Sequence, residues 1–213
     1  MDFDVLREKM VADQLVSRGI NTPEVIEAMR RVPRHEFVPL EEQPNAYDDR
    51  PVFIGHGQTI SQPYIVALMT QSLRLKKDDR VLEVGTGCGY QTAVLAELCK
   101  EIYTIERLPE LSQKAQAVLK KLNYQNIHFK IGDGTLGWSR EIPFDAILVA
   151  AAAPNRETPL FAHLKEGGRM IIPIGDRSDQ SLFCISKKEG LPVTEEICRC
   201  VFVPLVGEFG WQK

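Results

Sequence analysis

Several features that mark other protein classes are missing from this 213-residue sequence. Its five cysteines form no C-x-x-C pair, and no neighbouring histidine supplies a zinc-ligand spacing, so no metal site is predicted. An odd number of cysteines within apparent strands and helices predicts reduced thiols and a cytoplasmic location. The N-terminal residues lack the continuous apolar core of a signal peptide, and no run approaches the length of a membrane span.

Positive charge is also in short supply. The chain has 26 Lys and Arg against 29 Asp and Glu, a net charge of −3, and no basic stripe. Neutralising a phosphate backbone needs clustered cations, so this balance argues against a dedicated nucleic-acid binder. With 44% hydrophobic and 26% charged residues, the composition is typical of an ordinary globular chain that buries a substantial core.

The stretch that organises the chain is Arg80–Gly89, with the sequence RVLEVGTGCG. A short apolar run that breaks into alternating glycines, followed by the helix-compatible Tyr90–Leu98, predicts a strand, a tight turn and a helix. Gly85 and Gly87 allow a ligand to approach the backbone closely. The G-x-G-x-G spacing departs from the dinucleotide fingerprint G-x-G-x-x-G at its last position. The turn therefore favours a nucleoside without phosphates, S-adenosylmethionine above all, while NAD stays possible.

Two acidic residues follow the next strands. Glu106 ends the predicted strand Glu101–Glu106, about 20 residues after the first glycine, where a carboxylate would accept hydrogen bonds from ribose hydroxyls. The alternative for Glu106 is a solvated charge at the end of a strand. Asp133 lies between two glycines and is suited to receive the amino group of adenine, with Gly134 leaving room for the ring. The alternative for Asp133 is an Asx-turn.

Strands and helices alternate through the middle of the chain. This order predicts right-handed crossovers and a Rossmann-like, doubly wound, mostly parallel sheet. Ser181–Ser186 and Glu195–Val203 bracket a turn and predict a C-terminal antiparallel hairpin. Two amphipathic N-terminal helices are expected to form a lid or cover. We expect one domain with three parts: N-terminal helices and active-site loop (1–79), cofactor-binding core (80–174), and C-terminal hairpin and arm (175–213).

The segment Pro39–Gln62 has little periodicity and many prolines and glycines. A long irregular segment with this apolar content indicates a functional loop rather than a linker. It leads into a helix for which Ser61 is the expected N-cap. No G-x-S-x-G elbow and no paired histidine supports Ser61 as a nucleophile. From the residues alone, a capping role and another catalytic role for Ser61 both stay open.

Several stretches together resemble the protein-L-isoaspartate O-methyltransferase family. The glycine turn is shared with most methyltransferases of this fold, whereas residues 57–67 separate this family from the others. Weaker matches near both ends extend the resemblance over nearly the whole chain. The matching stretches are GQTISQPYIVA at 57–67, VLEVGTGCGYQTA at 81–93, Gly132-Asp133-Gly134 and FDAILV at 144–149.

The resemblance implies transfer of a methyl group from S-adenosyl-L-methionine to the free α-carboxyl of L-isoaspartyl residues in damaged proteins and peptides. The products are S-adenosyl-L-homocysteine and an ester that closes to a succinimide, whose hydrolysis returns some normal aspartate. No metal is implied. The expected partners are isoaspartyl-containing peptides and proteins, with no nucleic acid and no membrane, and we expect a monomer.

The resemblance also assigns roles to individual residues. The residues that match the family's cofactor site are Gly85, Gly87, Glu106, Asp133 and Gly134. Those that match the active-site loop are Thr59, Ile60 and Ser61, with Ser61 as the family's catalytic serine. Val206 falls where a C-terminal arm helps to hold the substrate. One departure is Cys88, where many relatives would carry serine.

Three other functions remain possible from the sequence. The first is a methyltransferase acting on a small molecule or tRNA, although the missing basic patch weakens the tRNA version. The second is a non-catalytic sensor of an adenosyl ligand, which would have no need of residues 58–63. The third is a nicotinamide dehydrogenase, against which the shortened glycine turn argues.

Overall fold

The computed structural model describes residues 1–212. Its main feature is a seven-stranded sheet with the strand order β5-β4-β3-β6-β7-β8-β9, and β1 and β2 form a separate two-stranded sheet. The strands are β1 (Val52–Gly55), β2 (Gln58–Ile60), β3 (Arg80–Val84), β4 (Glu101–Glu106), β5 (Ile127–Ile131), β6 (Phe144–Val149), β7 (Leu164–Gly175), β8 (Gln180–Lys188) and β9 (Leu191–Cys200).

Five α-helices accompany the strands within residues 1–212. They are α1 (Phe3–Met10), α2 (Pro23–Arg31), α3 (Pro63–Leu73), α4 (Tyr90–Ala96) and α5 (Pro109–Lys121). Asp2 caps α1, because its carboxylate accepts hydrogen bonds from the backbone N–H groups of Asp4 and Val5. Proline occupies the first turn of α2, α3 and α5, where its missing N–H costs no intrahelical bond.

The central strand β3 pairs in parallel with both β4 and β6. The chain runs outward from β3 through β4 to β5, then returns to place β6 on the other side of β3. In such sheets the crevice at the carboxyl ends of the strands, where the order reverses, receives the ligand. Strands β7, β8 and β9 pair antiparallel, which confirms the mostly parallel sheet with its closing hairpin.

The N-terminal helices lie against α3 and α4 as a cover rather than within the sheet. Met10, Leu15 and Met29 are at most 1% exposed, and they share one hydrophobic cluster with side chains of α4 and α5. Burying one such side chain contributes about 2 kcal/mol. The cover is therefore part of the folded core and not a detachable lid.

The segment Pro39–Gln62 is more regular than its sequence predicted. It contains a 3-10 helix at Leu40–Asn45 and the hairpin formed by β1 and β2. His56 and Gly57 form the two-residue turn with φ angles of 54° and 68°, as a type I′ turn requires. In β1, the buried Val52 and Ile54 alternate with the exposed Phe53 and Gly55.

Ser61 is not the cap of the following helix, so that prediction was wrong. Gln62 occupies the N-cap position of α3, and its side chain makes no capping hydrogen bond. Because Pro63 has no N–H to satisfy, the first turn of α3 has less need of a capping side chain. Ser61 instead lies in the short connection between β2 and α3, and its hydroxyl is available for another role.

Candidate active site

A large cavity lies at the carboxyl ends of β3, β4 and β6, as the topology predicts. It encloses about 1070 Å³ including its open mouth. One wall comes from the glycine turn and the end of β4, and the other from β2, Ser61 and the C-terminal arm. Lining residues from the predicted set are Thr59, Ile60, Ser61, Gly85, Gly87, Glu106, Gly134 and Val206.

The glycine turn forms the floor of the cavity. Gly85 and Gly87 have φ angles of 95° and 55°, in the left-handed region that side chains disfavour. The backbone N–H of Gly85 donates to the carbonyl oxygen of Ile105 at 2.8 Å, which ties the turn to β4. The backbone itself is therefore the surface that a ligand would meet.

Glu106 joins the turn to the end of β4. Its side chain is only 7% exposed, so it is not the solvated strand-end charge of the alternative interpretation. One carboxylate oxygen accepts a hydrogen bond from the backbone N–H of Gly87 at 2.9 Å, and the other accepts from that of Leu108 at 2.9 Å. Each oxygen keeps acceptor capacity, and the residue lines the cavity, as ribose binding would need.

Asp133 lies behind Gly134 rather than among the lining residues of the cavity. Its Oδ1 accepts hydrogen bonds from the backbone N–H of Thr135 at 2.8 Å and from the Thr135 hydroxyl, and its Oδ2 accepts from the N–H of Glu208 at 2.7 Å. Desolvation acts to raise the pKa of Asp133, but these hydrogen bonds outweigh it and hold the pKa below its usual range. The Asx-turn of the alternative interpretation is therefore present, with a link to the C-terminal arm, and the adenine contact stays a prediction.

A second carboxyl group lies directly below the glycine turn. Glu83 on β3 is fully buried, and its Oε2 accepts hydrogen bonds from the hydroxyls of Thr92 at 2.6 Å and Thr104 at 2.7 Å. Its Oε1 has no partner within residues 1–212. Burial raises the pKa of Glu83 to about 8. Sequence reasoning missed this group, because β3 carried no signal of the hydroxyls that surround it.

The second wall of the cavity, formed by β2, Ser61 and the C-terminal arm, is called the acceptor wall here. It brings together residues that are far apart in the chain. Thr59 and Ser61 line both the main cavity and a smaller adjoining one. The C-terminal arm lies beside the loop after β6, where the N–H of Leu205 donates to the carbonyl oxygen of Ala152 at 2.9 Å. Val206 reaches the main cavity from this arm. The two cavities meet at Ser61, whose hydroxyl has no hydrogen-bond partner within residues 1–212.

Arg34 lies behind this wall and is a second residue, after Glu83, that sequence reasoning missed. It is 0% exposed, and its Nη2 donates to the carbonyl oxygen of Ser61 at 2.8 Å. The Val-Pro-Arg triplet at 32–34 was visible in the sequence, but nothing in its spacing indicated that the arginine would be buried. It is one of the links between the N-terminal part of the chain and the active-site loop.

The fold and the site together define a class of protein. A doubly wound sheet with a glycine turn after β3, and a buried carboxylate ending β4, defines a protein that binds a nucleoside cofactor at the carboxyl ends of its strands. The sequence profile described as protein-L-isoaspartate(D-aspartate) O-methyltransferase matches residues 6–210. The chain belongs to the protein-L-isoaspartate O-methyltransferase family.

Known relatives match along their whole length. A protein-L-isoaspartate O-methyltransferase of Trichlorobacter lovleyi is 52% identical over 213 residues, covering 100% of this chain and 98% of the relative. A Dictyoglomus turgidum protein of the same name is 51% identical over 215 residues, covering 99% and 98% of the two chains. The family assignment therefore rests on all parts of the chain and not on the glycine turn alone.

Solved structures show the same architecture. A protein-L-isoaspartate O-methyltransferase superposes with a TM-score of 0.84 at 29% identity, covering 96% of this chain and 67% of the other. A Plasmodium falciparum structure of the same description, in complex with S-adenosyl-L-homocysteine, has a TM-score of 0.79 at 28% identity and covers 97% and 99% of the two chains. No helix of residues 1–212 is long and apolar enough to cross a membrane. Within the same residues, no three His, Cys, Asp or Glu side chains lie close enough together to bind a metal ion.

Proposed function

We propose that this enzyme transfers a methyl group from S-adenosyl-L-methionine to the free α-carboxyl of L-isoaspartyl residues in damaged proteins and peptides. Family membership and relatives about half identical over their full length support this activity. The observation that carries it is Ser61, which has a free hydroxyl and lines both the cofactor cavity and a second, smaller cavity beside it. The proposed partners are isoaspartyl-containing proteins and peptides.

The residues present fit the cofactor. When bound, S-adenosyl-L-methionine supplies a methyl group made electrophilic by its sulfonium. The Gly85–Gly87 backbone would lie against it, and Glu106 would accept hydrogen bonds from its ribose hydroxyls. Packing requires glycine at position 134, because a Cβ there would collide with Val84, and the Gly134 backbone would lie against adenine. We also propose Asp133 as the acceptor for the adenine amino group.

The proposed chemistry asks for orientation rather than for a strong base. A carboxylate is already an adequate nucleophile, so no side chain has to remove a proton from it. Ser61 would donate a hydrogen bond to one carboxylate oxygen and leave the other aligned with the methyl group. Thr59, Ile60 and Val206 would hold the substrate backbone beside it and exclude water. The resulting ester closes to a succinimide, and hydrolysis returns part of it to normal aspartate.

The test is transfer of labelled methyl to a synthetic peptide with one isoaspartyl bond, run beside its normal aspartyl twin. We expect base-labile label in the isoaspartyl peptide alone, which reports carboxyl methylation and selectivity together. Equal label in both peptides would contradict the repair role. No label in either, with cofactor binding intact, would contradict methyl transfer to this acceptor.

Other predictions accompany this function. A cytoplasmic location is supported by five cysteines that all remain thiols in the fold. A single domain is supported by one hydrophobic cluster that joins side chains of residues 1–79 to those of the 80–174 core. The monomeric state stays a prediction. The small-molecule, tRNA, sensor and dehydrogenase alternatives are not favoured by the full-length relatives.

A further inference from the structure

A fully buried arginine lies behind the acceptor wall. The Nε of Arg34 donates to the carbonyl oxygen of Ala46 at 2.6 Å, and its Nη2 donates to that of Ser61 at 2.8 Å. The guanidinium carbon lies 4.8 Å from the centre of the Tyr90 ring. The remaining nitrogen, Nη1, is buried without an acceptor in residues 1–212. One side chain thus contacts Ala46, Ser61 and Tyr90, the first residue of α4.

The charge of Arg34 is not balanced by a carboxylate. None of the ion pairs within residues 1–212 includes it. The groups that face it are carbonyl oxygens, the Cys88 thiol and the rings of Tyr47 and Tyr90. Burial lowers the pKa of Arg34, yet a guanidinium keeps its proton at neutral pH.

An unpaired buried cation is a costly way to fill space. Desolvating a charge without a partner destabilises a fold, and a well-packed apolar side chain of similar volume serves stability better. Arg80 shows the usual arrangement in this protein, because it pairs with Glu101 and Glu141 at the amino end of the sheet. The contrast indicates that the positive charge of Arg34 serves the site and not the core.

The position of the charge matches the needs of the acceptor. Arg34 touches Ser61 and Tyr90, both of which line the cavity. Glu106 lies on the opposite wall, which consists of the glycine turn and the end of β4 and is called the cofactor wall. An anion that enters beside Ser61 is therefore attracted by the positive charge of the Arg34 guanidinium, which lies behind the acceptor wall. In a cavity shielded from water, such a fixed charge acts more strongly than it would at the surface.

We propose that Arg34 is a positioning residue for the acceptor, which fixes the backbone at Ser61 and attracts the substrate carboxylate with its unpaired charge. This inference rests on the proposed function, since it assumes an anionic acceptor at Ser61. It separates two contributions of one side chain: the paired hydrogen bonds to Ala46 and Ser61 orient the serine, and the charge strengthens binding of the carboxylate.

Two variants of Arg34 separate these contributions. Arg34→Met keeps an unbranched side chain of similar length but removes charge and donors, whereas Arg34→Lys keeps the charge but cannot hold both carbonyl oxygens in one plane. Arg80→Met is the matched control, since Arg80 lies at the amino end of β3, whereas the cavity lies at the carboxyl end. For each, kcat and the KM values for an isoaspartyl peptide and for S-adenosyl-L-methionine are measured, together with thermal stability.

We expect Arg34→Met to raise the KM for the peptide about tenfold and to lower kcat about tenfold, with the KM for the cofactor changed less than about twofold. Arg34→Lys should bring the peptide KM back to within about threefold of the wild type while kcat stays at least about fivefold low. Arg80→Met should lose stability with all three kinetic constants nearly unchanged.

Two results would overturn the proposal. The first is a rise in the KM for the peptide that is matched by an equal rise in the KM for the cofactor in Arg34→Met, in proportion to its lost stability. A residue with a purely structural role would give that result. The second is a peptide KM in Arg34→Lys as high as in Arg34→Met, which would show that charge is irrelevant. Should Arg34→Met fail to fold, Arg34→Lys decides alone: wild-type kcat would refute the positioning role. A wild-type enzyme that leaves isoaspartyl peptides unmethylated would refute the proposed function itself, and this inference with it.

Discussion

The two walls of the active-site cavity are built in different ways. The cofactor wall comes from residues 84–89 and 105–108, which are held together by backbone hydrogen bonds and by the Glu106 carboxylate. The acceptor wall comprises Arg34 and the residues around Ser61, which a side-chain hydrogen bond connects, and the arm at 203–206, which a single bridge connects to the loop after β6. A local turn thus makes the first wall, and only long-range packing makes the second.

The walls also differ in charge. The Glu106 carboxylate lies within the cofactor wall, above the buried Glu83 whose raised pKa keeps it protonated at neutral pH, whereas the acceptor wall has the unpaired cation Arg34 behind it. The comparison predicts that substitutions on one side will change cofactor binding or core stability, and that those on the other will change acceptor binding or turnover. The expected effects below run from the largest to the smallest.

The largest effect concerns stability under the cofactor wall. The pKa of Glu83 is about 8 in the folded protein and near 4.5 when unfolded. The folded state therefore holds a proton that the unfolded state releases, and stability falls as pH rises from about 4.5 to about 8. Glu83→Gln removes this loss, so its stability relative to the wild type should rise by on the order of 3 kcal/mol between pH 5 and pH 8.5. Urea unfolding at both pH values measures it, and a constant difference would contradict it.

Glu106→Gln tests the cofactor wall directly. Glutamine retains one acceptor oxygen but loses the charge, so the KM for S-adenosyl-L-methionine should rise about thirtyfold, or ~2 kcal/mol. The KM for the peptide should change less than about twofold. Glu101→Gln, at the amino end of the same strand, is the control and should change neither constant. A larger effect on the peptide than on the cofactor would break the division between the walls.

Ser61→Ala tests the acceptor wall. We expect kcat to fall about tenfold, because the carboxylate loses the hydrogen bond that orients it, while the KM for the cofactor stays unchanged. Ser72→Ala is the matched control, since the Ser72 hydroxyl bonds to the carbonyl oxygen of Leu68 within α3. An unchanged kcat at normal stability would leave Ser61 without a catalytic role.

Gly207→Ala probes the contact that joins the arm to the cofactor side. A Cβ at this position would collide with the Asp133 carboxylate, so the arm must shift. The KM for the peptide should rise about fivefold, or ~1 kcal/mol, through displacement of the neighbouring Val206. The KM for the cofactor tells the two roles of Asp133 apart: no change fits an anchor for the arm, and a matching rise fits the predicted adenine contact.

The sequence by itself determined the cofactor side. Alternating glycines after an apolar run, strands that alternate with helices, and an acidic residue at the end of the second strand predicted the sheet, the turn and the position of Glu106. These signals are local, because backbone φ preferences and hydrophobic periodicity act within a few residues. Motif resemblance extended the prediction to Ser61, whose place on the cavity wall agrees with it.

Only the tertiary structure decided the acceptor side. It showed that Ser61 is not a helix cap, that Pro39–Gln62 contains a hairpin, and that Asp133 anchors the backbone at Glu208. It also buried Arg34 beside Ser61 without a counter-charge. The Arg34–Ser61 and Asp133–Glu208 contacts join segments separated by tens of residues, and neither periodicity nor turn chemistry records which distant segments will meet.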